Sequence, residues 1–118
     1  MEKTISMKYN RDFKRLYAKG KSICGGYLVM YYKRAKTPVN ILGITVTKKL
    51  GKAVVRNRVR RLIRESYRLK EDSIDTGYYI VIVARGKAVG ASFEQISRDM
   101  SFLLKKSGII DTDKTRSE

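Results

Sequence analysis

Seven consecutive residues, Tyr78 to Ala84, set the strictest condition on the fold. They read Tyr-Tyr-Ile-Val-Ile-Val-Ala and include no charged side chain. A short run that is apolar throughout and rich in β-branched and aromatic residues is typical of a central strand covered on both faces. The chain must therefore supply both a sheet and the helices that cover it.

Two segments have the spacing of amphipathic helices. From Tyr9 to Gly20, apolar side chains recur at helical intervals among basic ones, and Gly20 suits a helix C-cap. The second segment begins at Ser92, which forms a capping-box pattern with Gln95, and ends near Gly108. Its predicted core stripe consists of Phe93, Ile96, Met100, Leu103 and Leu104.

Two further segments have strand composition. Ile23 to Lys33 is rich in aromatic and β-branched residues, with Gly25-Gly26 as a kink or bulge. Ile41 to Thr47 resumes this composition after a polar connection that holds Pro38, the only proline. We predict that the two segments pair as an antiparallel hairpin.

The segment from Val54 to Lys70 separates into two faces when its residues are placed at about 100° intervals. The apolar face consists of Val55, Val59, Leu62, Ile63, Ser66 and Leu69. The opposite face consists of Arg56, Asn57, Arg60, Arg61, Arg64 and Arg68, with Arg58 at its border. The pattern predicts a helix that buries one side and presents arginines on the other.

These elements follow the order helix, strands, helix, strand, helix, without an internal repeat. The order indicates an α+β fold of two layers. Because 118 residues suit one compact domain, we predict a single domain over residues 1–108. Residues 109–118 are predicted to form a disordered tail.

The positive charge is concentrated in the middle of the chain. The net charge is +16, and residues 48–70 hold ten basic side chains against one acidic side chain, Glu65. A solvated basic face is the alternative, but like charges four residues apart repel each other, whereas phosphates would compensate them. We therefore predict a polyanionic partner. No apolar stretch resembles a spanning helix or a signal peptide, which favours nucleic acid over an anionic membrane.

The side chains that most hydrolytic enzymes use are scarce. The chain has no histidine and one cysteine, Cys24, which excludes Ser-His and Cys-His pairs and Cys₄ zinc sites. A lone cysteine is typical of a cytosolic protein, and its apolar surroundings predict a buried, inert thiol. Asp111 and Asp113 are better explained as solvated tail residues than as a metal pair. No catalytic residue is predicted.

Composition leaves the choice between DNA and RNA open. Single-stranded RNA is held in cationic grooves by aromatic side chains on which bases stack, and eight tyrosines and three phenylalanines supply candidates. Tyr27 and Tyr31 are predicted to share one strand face, with Tyr32 on the other. One face of the sheet is therefore a candidate stacking platform, and burial in the core is the alternative for each ring.

A run of twenty-four residues carries a family signature. Leu42 to Glu65 reads LGITVTKKLGKAVVRNRVRRLIRE and closely resembles the signature of the bacterial ribonuclease P protein subunit. Its hallmark triplet is Arg56-Asn57-Arg58. The resemblance also covers residues 12–20, 27–31 and 78–84, and thus nearly the whole chain. A lone Arg-Asn-Arg would be weak, whereas the full run is highly specific.

This resemblance implies a small basic partner of a large catalytic RNA, called ribonuclease P RNA. The complex removes the 5′ leader of precursor transfer RNA by endonucleolytic cleavage, and the RNA supplies the active site and its magnesium ions. The expected partners are this RNA and the precursor, with no membrane and no obligate protein partner, in the cytoplasm. The protein is expected to broaden the range of substrates and to lower the magnesium requirement.

The family fold implied by the resemblance has the order αβββαβα. A four-stranded sheet packs with three helices, and a left-handed crossover surrounds the arginine-rich helix, contrary to the usual hand. This fold is similar to the second domain of a small-subunit ribosomal protein.

Carried over position by position, the resemblance assigns two sites. The family contacts its catalytic RNA at positions that match Arg56, Asn57, Arg58, Arg60, Arg61 and Arg64. The neighbouring basic residues Lys48, Lys49, Lys52 and Arg68 join them as candidates. The central cleft, which receives the single-stranded leader, is matched by Phe13, Tyr17 and Tyr31, joined by Arg60.

Two rival functions share the charge. A structural ribosomal or assembly protein would have the same basic surface and even the same fold, but it would copurify with a different RNA. A DNA-compacting protein would have a dimer-forming element and prefer duplex. Neither explains the run from Leu42 to Glu65. A protein-only nuclease, which needs no RNA subunit, is a third alternative. The purified chain would then cleave RNA without any partner.

Overall fold

The structure is a computed structural model that describes residues 1–110. The five strands are β1 Thr4–Ser6, β2 Lys21–Cys24, β3 Leu28–Arg34, β4 Asn40–Thr45 and β5 Tyr78–Ala84. The three α-helices are α1 Asn10–Lys19, α2 Ala53–Lys70 and α3 Phe93–Ser107. Short 3₁₀ turns occur at Lys48–Leu50, Glu71–Ser73 and Gly86–Ala88. The strands form one mixed sheet in the order β1-β4-β5-β3-β2.

The central-strand prediction for Tyr78–Ala84 is confirmed. β5 pairs in parallel with β4 on one side and antiparallel with β3 on the other. Its middle residues Ile80, Val81 and Ile82 are fully buried. Because successive side chains point to opposite faces, Ile80 and Ile82 enter the core with α2 and α3, whereas Val81 packs on the side of α1.

The predicted hairpin between the segments Ile23 to Lys33 and Ile41 to Thr47 is wrong. β4 lies beyond β5 and does not neighbour β3, because a central position between them lets helices cover both apolar faces of β5. Gly25 and Gly26 lie instead in the connection of a hairpin between β2 and β3. This connection places Tyr27 outside β3. Tyr27 therefore packs on the larger core, and only Tyr31 faces α1.

The α+β class is confirmed, with two differences in architecture. A fifth strand, β1, pairs in parallel with β4; it has only three residues, too few for a pattern to reveal. Helix α1 covers one face of the sheet, and α2 and α3 cover the other. The fold therefore has three layers, with the sheet between two layers of helices, and not the two layers predicted. The reason is that β5 is apolar on both faces. Helix α2 connects the adjacent parallel strands β4 and β5, and the left hand of this crossover stays a prediction.

Helix α3 begins and ends as predicted. The Ser92 hydroxyl accepts a hydrogen bond from the Gln95 backbone N–H, and the Gln95 side chain accepts one from Ser92. Gly108 ends the helix with a φ of 80°, a conformation that favours glycine. The predicted tail begins too early, because Ile109 is fully buried and Ile110 forms a β-bridge with Ile74. Residues 111–118, with Asp111 and Asp113, lie outside the described residues.

Along α2 the buried stripe differs from the predicted one. Val59, Ile63, Ser66 and Tyr67 are buried, whereas Leu69 is 58% exposed. Tyr67 takes a core position because its hydroxyl also finds polar partners, lying 3.0 Å from Thr4 Oγ1 and 3.4 Å from the Nδ2 donor of Asn40. Burial raises the pKa of the Tyr67 phenol. Over residues 1–110, the structure has no helix that is long and apolar enough to cross a membrane.

Candidate nucleic-acid interface

The sheet face beneath α1 is organised in rows that run across the inner strands. In the middle row, Tyr31, Val81 and Gly43 are neighbours in register. The row at the carboxyl end of β4 contains Val29, Val83 and Thr45. All three side chains of this second row are partly exposed. We call the surface formed by Phe13, Tyr17, Val29, Tyr31, Thr45 and Val83 the aromatic cleft.

Helix α1 is held against the middle row. Leu16 is buried in a small apolar cluster with Val81, which fixes the height of the helix above the sheet. The Phe13 ring lies directly over Gly43, where a Cβ atom would be 2.5 Å from Phe13 Cε1. Glycine inside β4 therefore makes room for the ring.

The second ring of α1 closes the cluster. Tyr17 meets Tyr31 edge to face, with ring centroids 4.9 Å apart and an interplanar angle of 78°. Its hydroxyl lies 3.0 Å from Thr45 Oγ1, and the side chain remains 40% exposed. The fold thus brings Phe13, Tyr17 and Tyr31 together on one surface, with ring area left open to solvent.

Arg60 stands between the aromatic cleft and α2. Its Nη1 donates a hydrogen bond to Asn57 Oδ1 at 3.2 Å, and its Nη2 donates to the Val46 carbonyl at 3.5 Å. Val46 directly follows Thr45, the last residue of β4 and a member of the cleft. Arg60 is therefore next to both groups of residues that the sequence analysis assigned.

The first half of α2 is an open cationic surface. Arg56 Nε donates to the Gly51 carbonyl and Arg58 Nη2 to the Ala91 carbonyl, both at 3.2 Å. Among the described residues, no side chain caps the start of α2, and its first turn has no acidic residue. Free N–H groups and the positive end of the helix dipole favour anions. The exposed lysines at this end are Lys48, Lys49 and Lys52.

The second half of α2 is partly neutralised. Arg68 Nε donates to Glu65 Oε2 at 3.1 Å, and this guanidinium lowers the pKa of the Glu65 carboxyl. Within residues 1–110 this is the only ion pair. The charge of Arg68, one of the predicted RNA contacts, is therefore already compensated by Glu65. Arg61 and Arg64 are exposed, and neither forms an ion pair with a carboxylate of the described chain.

Three residues around the cleft were not predicted from the sequence to belong to it. Gly43 and Thr45 contact the predicted rings, and the only available signal was a glycine inside a strand pattern, which indicates close approach. Cys24 was predicted to be buried but is exposed, because β2 is an edge strand. It pairs with Val29 and thus belongs to the outer row of the cleft, with Arg85 Nη1 3.1 Å from its sulfur.

The described side chains do not form a metal site of their own. Within residues 1–110, no group of three or more His, Cys, Asp or Glu side chains could hold a metal ion. Magnesium prefers octahedral oxygen ligands, usually carboxylates with phosphates and water. No chemical step is therefore assigned to a metal held by this part of the chain.

Fold and site together define a class: small, strongly basic α+β proteins in which an arginine-rich helix adjoins an aromatic cleft, a surface suited to RNA. A family model described as Ribonuclease P matches residues 1–108. The chain belongs to the ribonuclease P protein family.

Individual relatives agree with this assignment. The chain is 43% identical over 110 residues to the ribonuclease P protein component of Caldanaerobacter subterraneus subsp. tengcongensis, covering 93% of this chain and 95% of the relative. A solved mutant of the Staphylococcus aureus RNase P protein superposes with a TM-score of 0.82 at 35% identity, covering 89% of each chain. The Thermotoga maritima RNase P protein gives a TM-score of 0.79 at 30% identity, covering 86% of this chain and 96% of that one.

Proposed function

We propose that this chain is the RNA-binding protein subunit of ribonuclease P in the cytoplasm and assists removal of the 5′ leader from precursor transfer RNA. The first half of α2 binds the RNA subunit, the aromatic cleft holds the leader, and cleavage takes place in the RNA. The observation that carries the proposal is the position of Arg60, which bonds to Asn57 on α2 and to Val46 beside the cleft. One protein surface can thus contact both RNAs.

The chemistry of the aromatic cleft suits a single strand. Unpaired bases expose their faces and stack on aromatic rings, at about 1 to 3 kcal/mol per base. Tyr17 and Tyr31 keep part of their ring area open, and their edge-to-face contact holds them in place. A duplex keeps its bases stacked on each other, so the cleft favours the leader over the paired parts of the substrate.

The surface of α2 suits a folded RNA. Arg56 and Arg58 are oriented by backbone carbonyls, so little conformational entropy is lost when their guanidinium groups meet phosphates. Binding to these cations releases condensed counterions. The same cations screen the repulsion between leader, transfer RNA and RNA subunit, which lowers the magnesium concentration needed for that screening and widens the range of usable substrates.

Reconstitution tests the proposal. The purified protein is added to a bacterial ribonuclease P RNA, and 5′ leader removal from a precursor transfer RNA is followed at low magnesium. We expect cleavage with both components and nearly none with either alone. If the protein binds neither the RNA nor the leader and adds no cleavage, the proposal is wrong. Cleavage by the protein alone would also contradict it.

Two arginines of one helix provide a matched pair for the RNA contact. Arg58→Ala should weaken binding to the ribonuclease P RNA and flatten the slope of log affinity against log salt by about one unit. Arg68→Ala removes the same charge, but Arg68 is already paired with Glu65, so its slope should change less. Equal slopes for both variants would remove Arg58 from the phosphate contacts.

Cys24 allows the leader site to be mapped directly. It is the only cysteine of the chain, and it is exposed in the row that contains Val29. A thiol-attached photo-crosslinker at Cys24 should label the leader of a precursor and leave mature transfer RNA unlabelled. A Cys24→Ser, Lys106→Cys variant moves the probe to α3 and should lose the leader crosslink. Equal labelling of both RNAs at Cys24 would contradict the assignment.

A further inference from the structure

Helix α1 divides its face of the sheet into two grooves. The aromatic cleft lies on one side of the helix. On the other side, the row that contains Lys33, Tyr79 and Ile41 borders a cavity of about 300 Å³ between α1 and the connection after β3. We call this cavity the distal groove. Its charged and aromatic lining consists of Asp12, Arg15, Lys33, Arg34, Lys36 and Tyr79.

In the part of the chain that the structure describes, the lining of the distal groove has more positive than negative charge. Four basic residues and one acidic residue, Asp12, line it, and within the described chain none of the four basic side chains lies within 4.0 Å of a carboxylate oxygen. An adjoining hollow of about 380 Å³ shares Lys33 and Arg34 and adds Lys19 and Lys21. Tyr32, Tyr78 and Ser107 also line it, so this hollow lies at the edge of the sheet, toward the face of α2 and α3. A concave surface lined by one sign of charge concentrates the potential and attracts the opposite charge.

Part of this surface is held rigidly. The Arg34 guanidinium lies 5.1 Å from the centroid of the Tyr78 ring, and its Nη1 donates to the Tyr78 hydroxyl at 3.2 Å. Arg34 and Tyr78 are paired residues of β3 and β5 and alternate with Lys33 and Tyr79, so their contact lies in the adjoining hollow at the edge of the sheet. The next residue, Ala35, donates its backbone N–H to the Gly77 carbonyl at 2.8 Å, which fixes the start of the segment that carries Lys36. The cations are thus presented on a defined backbone.

We propose that the distal groove is a second RNA-binding surface, which takes backbone phosphates and stacks a base on Tyr79; this inference rests on the proposed function. The six cations spread from the distal groove around the edge of the sheet into the adjoining hollow, an arrangement that matches consecutive phosphates of a strand better than one small anion. Helix α1 separates this surface from the aromatic cleft, so the phosphates belong to a different stretch of RNA from the one stacked on Tyr31. They come either from the distal part of a long leader or from the RNA subunit.

Two double variants test the groove with equal changes in charge. Lys33→Ala/Lys36→Ala removes two exposed cations of the distal groove, and Lys105→Ala/Lys106→Ala removes two exposed cations from the last turn of α3. Affinity is measured across a salt series in two arms. The first arm is the ribonuclease P RNA without substrate. The second is the assembled holoenzyme with precursors of short and long leader.

We expect the groove variant to flatten the salt slope by about one to two units in one arm, so that its deficit narrows about tenfold between about 50 and 200 mM salt. The α3 variant should stay near wild type. A loss confined to long leaders identifies the leader as the source, and a loss in the first arm identifies the RNA subunit. Lys33→Arg/Lys36→Arg should restore binding, and urea unfolding should show equal stability for all variants.

Several outcomes overturn the inference. Equal losses in the two alanine variants would mean that only net charge matters. Unchanged binding of the groove variant in both arms, with normal binding by the wild type, would overturn the groove alone and leave the proposed function intact. A wild-type protein that binds no RNA in either arm would overturn the proposed function and the groove with it.

Discussion

The two faces of the single sheet differ in how completely they are buried. On the face of α2 and α3, eighteen buried residues of the described chain form one continuous core. On the face of α1, the buried apolar cluster within residues 1–110 consists of Met7, Leu16 and Val81, and the aromatic residues packed against it are partly exposed. The difference follows from helix size, because α2 and α3 have 18 and 15 residues whereas α1 has 10. The uncovered part of the second face becomes the aromatic cleft.

The same strands thus supply a core on one face and the proposed binding surface on the other. Residues of β5 alternate between the two, since Ile80 and Ile82 belong to the large core and Val81 to the small cluster. Substitutions on the face of α2 and α3 should therefore change stability most. Substitutions on the face of α1 should change RNA binding most.

The largest expected effect is on stability, from a substitution on the face of α2 and α3. Ile63→Ala removes a fully buried side chain of α2 and should lower the free energy of unfolding by about 2 to 5 kcal/mol, because it leaves a cavity. Urea unfolding measures this change. Val54→Ala in the same helix, at a position 81% exposed, should change stability by less than about 0.5 kcal/mol. Similar values for the two variants would mean that α2 is not packed as described.

Substitutions on the face of α1 should change RNA binding more than stability. Phe13→Ala should weaken binding of leader-bearing precursor by about 1 to 3 kcal/mol, the value of one base stack, and leave mature transfer RNA unaffected. Tyr31→Ala should behave in the same way. Tyr9→Ala serves as a control because Tyr9 is exposed and lies outside the cleft. An equal loss for precursor and mature transfer RNA would refute the leader assignment.

Gly43→Ala tests the contact that positions Phe13. The added Cβ would lie 2.5 Å from the ring, so the ring must move and leader affinity should fall by up to about 1 to 3 kcal/mol. In a double-mutant cycle, Gly43→Ala should add little to Phe13→Ala, because both changes act through one ring. Gly86→Ala is the matched control, since no described neighbour lies within 4 Å of its Cβ position. Additive losses would show that Gly43 acts independently of Phe13.

The smallest expected effect concerns the buried hydroxyl of Tyr67 on the face of α2 and α3. Tyr67→Phe removes a hydroxyl bonded to Thr4 and Asn40 and should lower the free energy of unfolding by about 0.5 to 1.5 kcal/mol at neutral pH. Burial raises the pKa of Tyr67 above its ordinary value of 10.0. The folded state therefore holds this proton more tightly than the unfolded state. The resulting contribution to the free energy of unfolding is complete below pH 10.0 and is lost as pH rises through the raised pKa.

The alkaline pH dependence of stability should accordingly be shallower in Tyr67→Phe than in the wild type. Urea unfolding between neutral pH and pH values above 10.0 measures it. Tyr9→Phe, at an exposed position, should follow the wild-type curve. An alkaline limb that is unchanged in Tyr67→Phe would mean that Tyr67 does not contribute to it.

Local patterns predicted the elements with strong periodicity. The apolar run at Tyr78–Ala84 and the capping box at Ser92 were interpretable because each signal lies within a few residues. The strand β1 and the exposure of Cys24 had no such local signal. The twenty-four-residue run from Leu42 indicated the family, although periodicity misplaced Leu69 and missed Tyr67 on the same helix. Tyr67 is buried because Thr4 and Asn40, distant in sequence, bond to its hydroxyl.

The amino-acid sequence by itself determined the helices, the central strand, the excess of positive charge and the family. These properties depend on composition and short-range spacing. Only the tertiary structure decided that β5 separates β3 from β4, that Phe13 rests on Gly43, and that α1 leaves a groove on each side. They depend on contacts between residues far apart in the chain, where burial of one apolar strand on two faces selects the partners and a short helix leaves the rest of one face open.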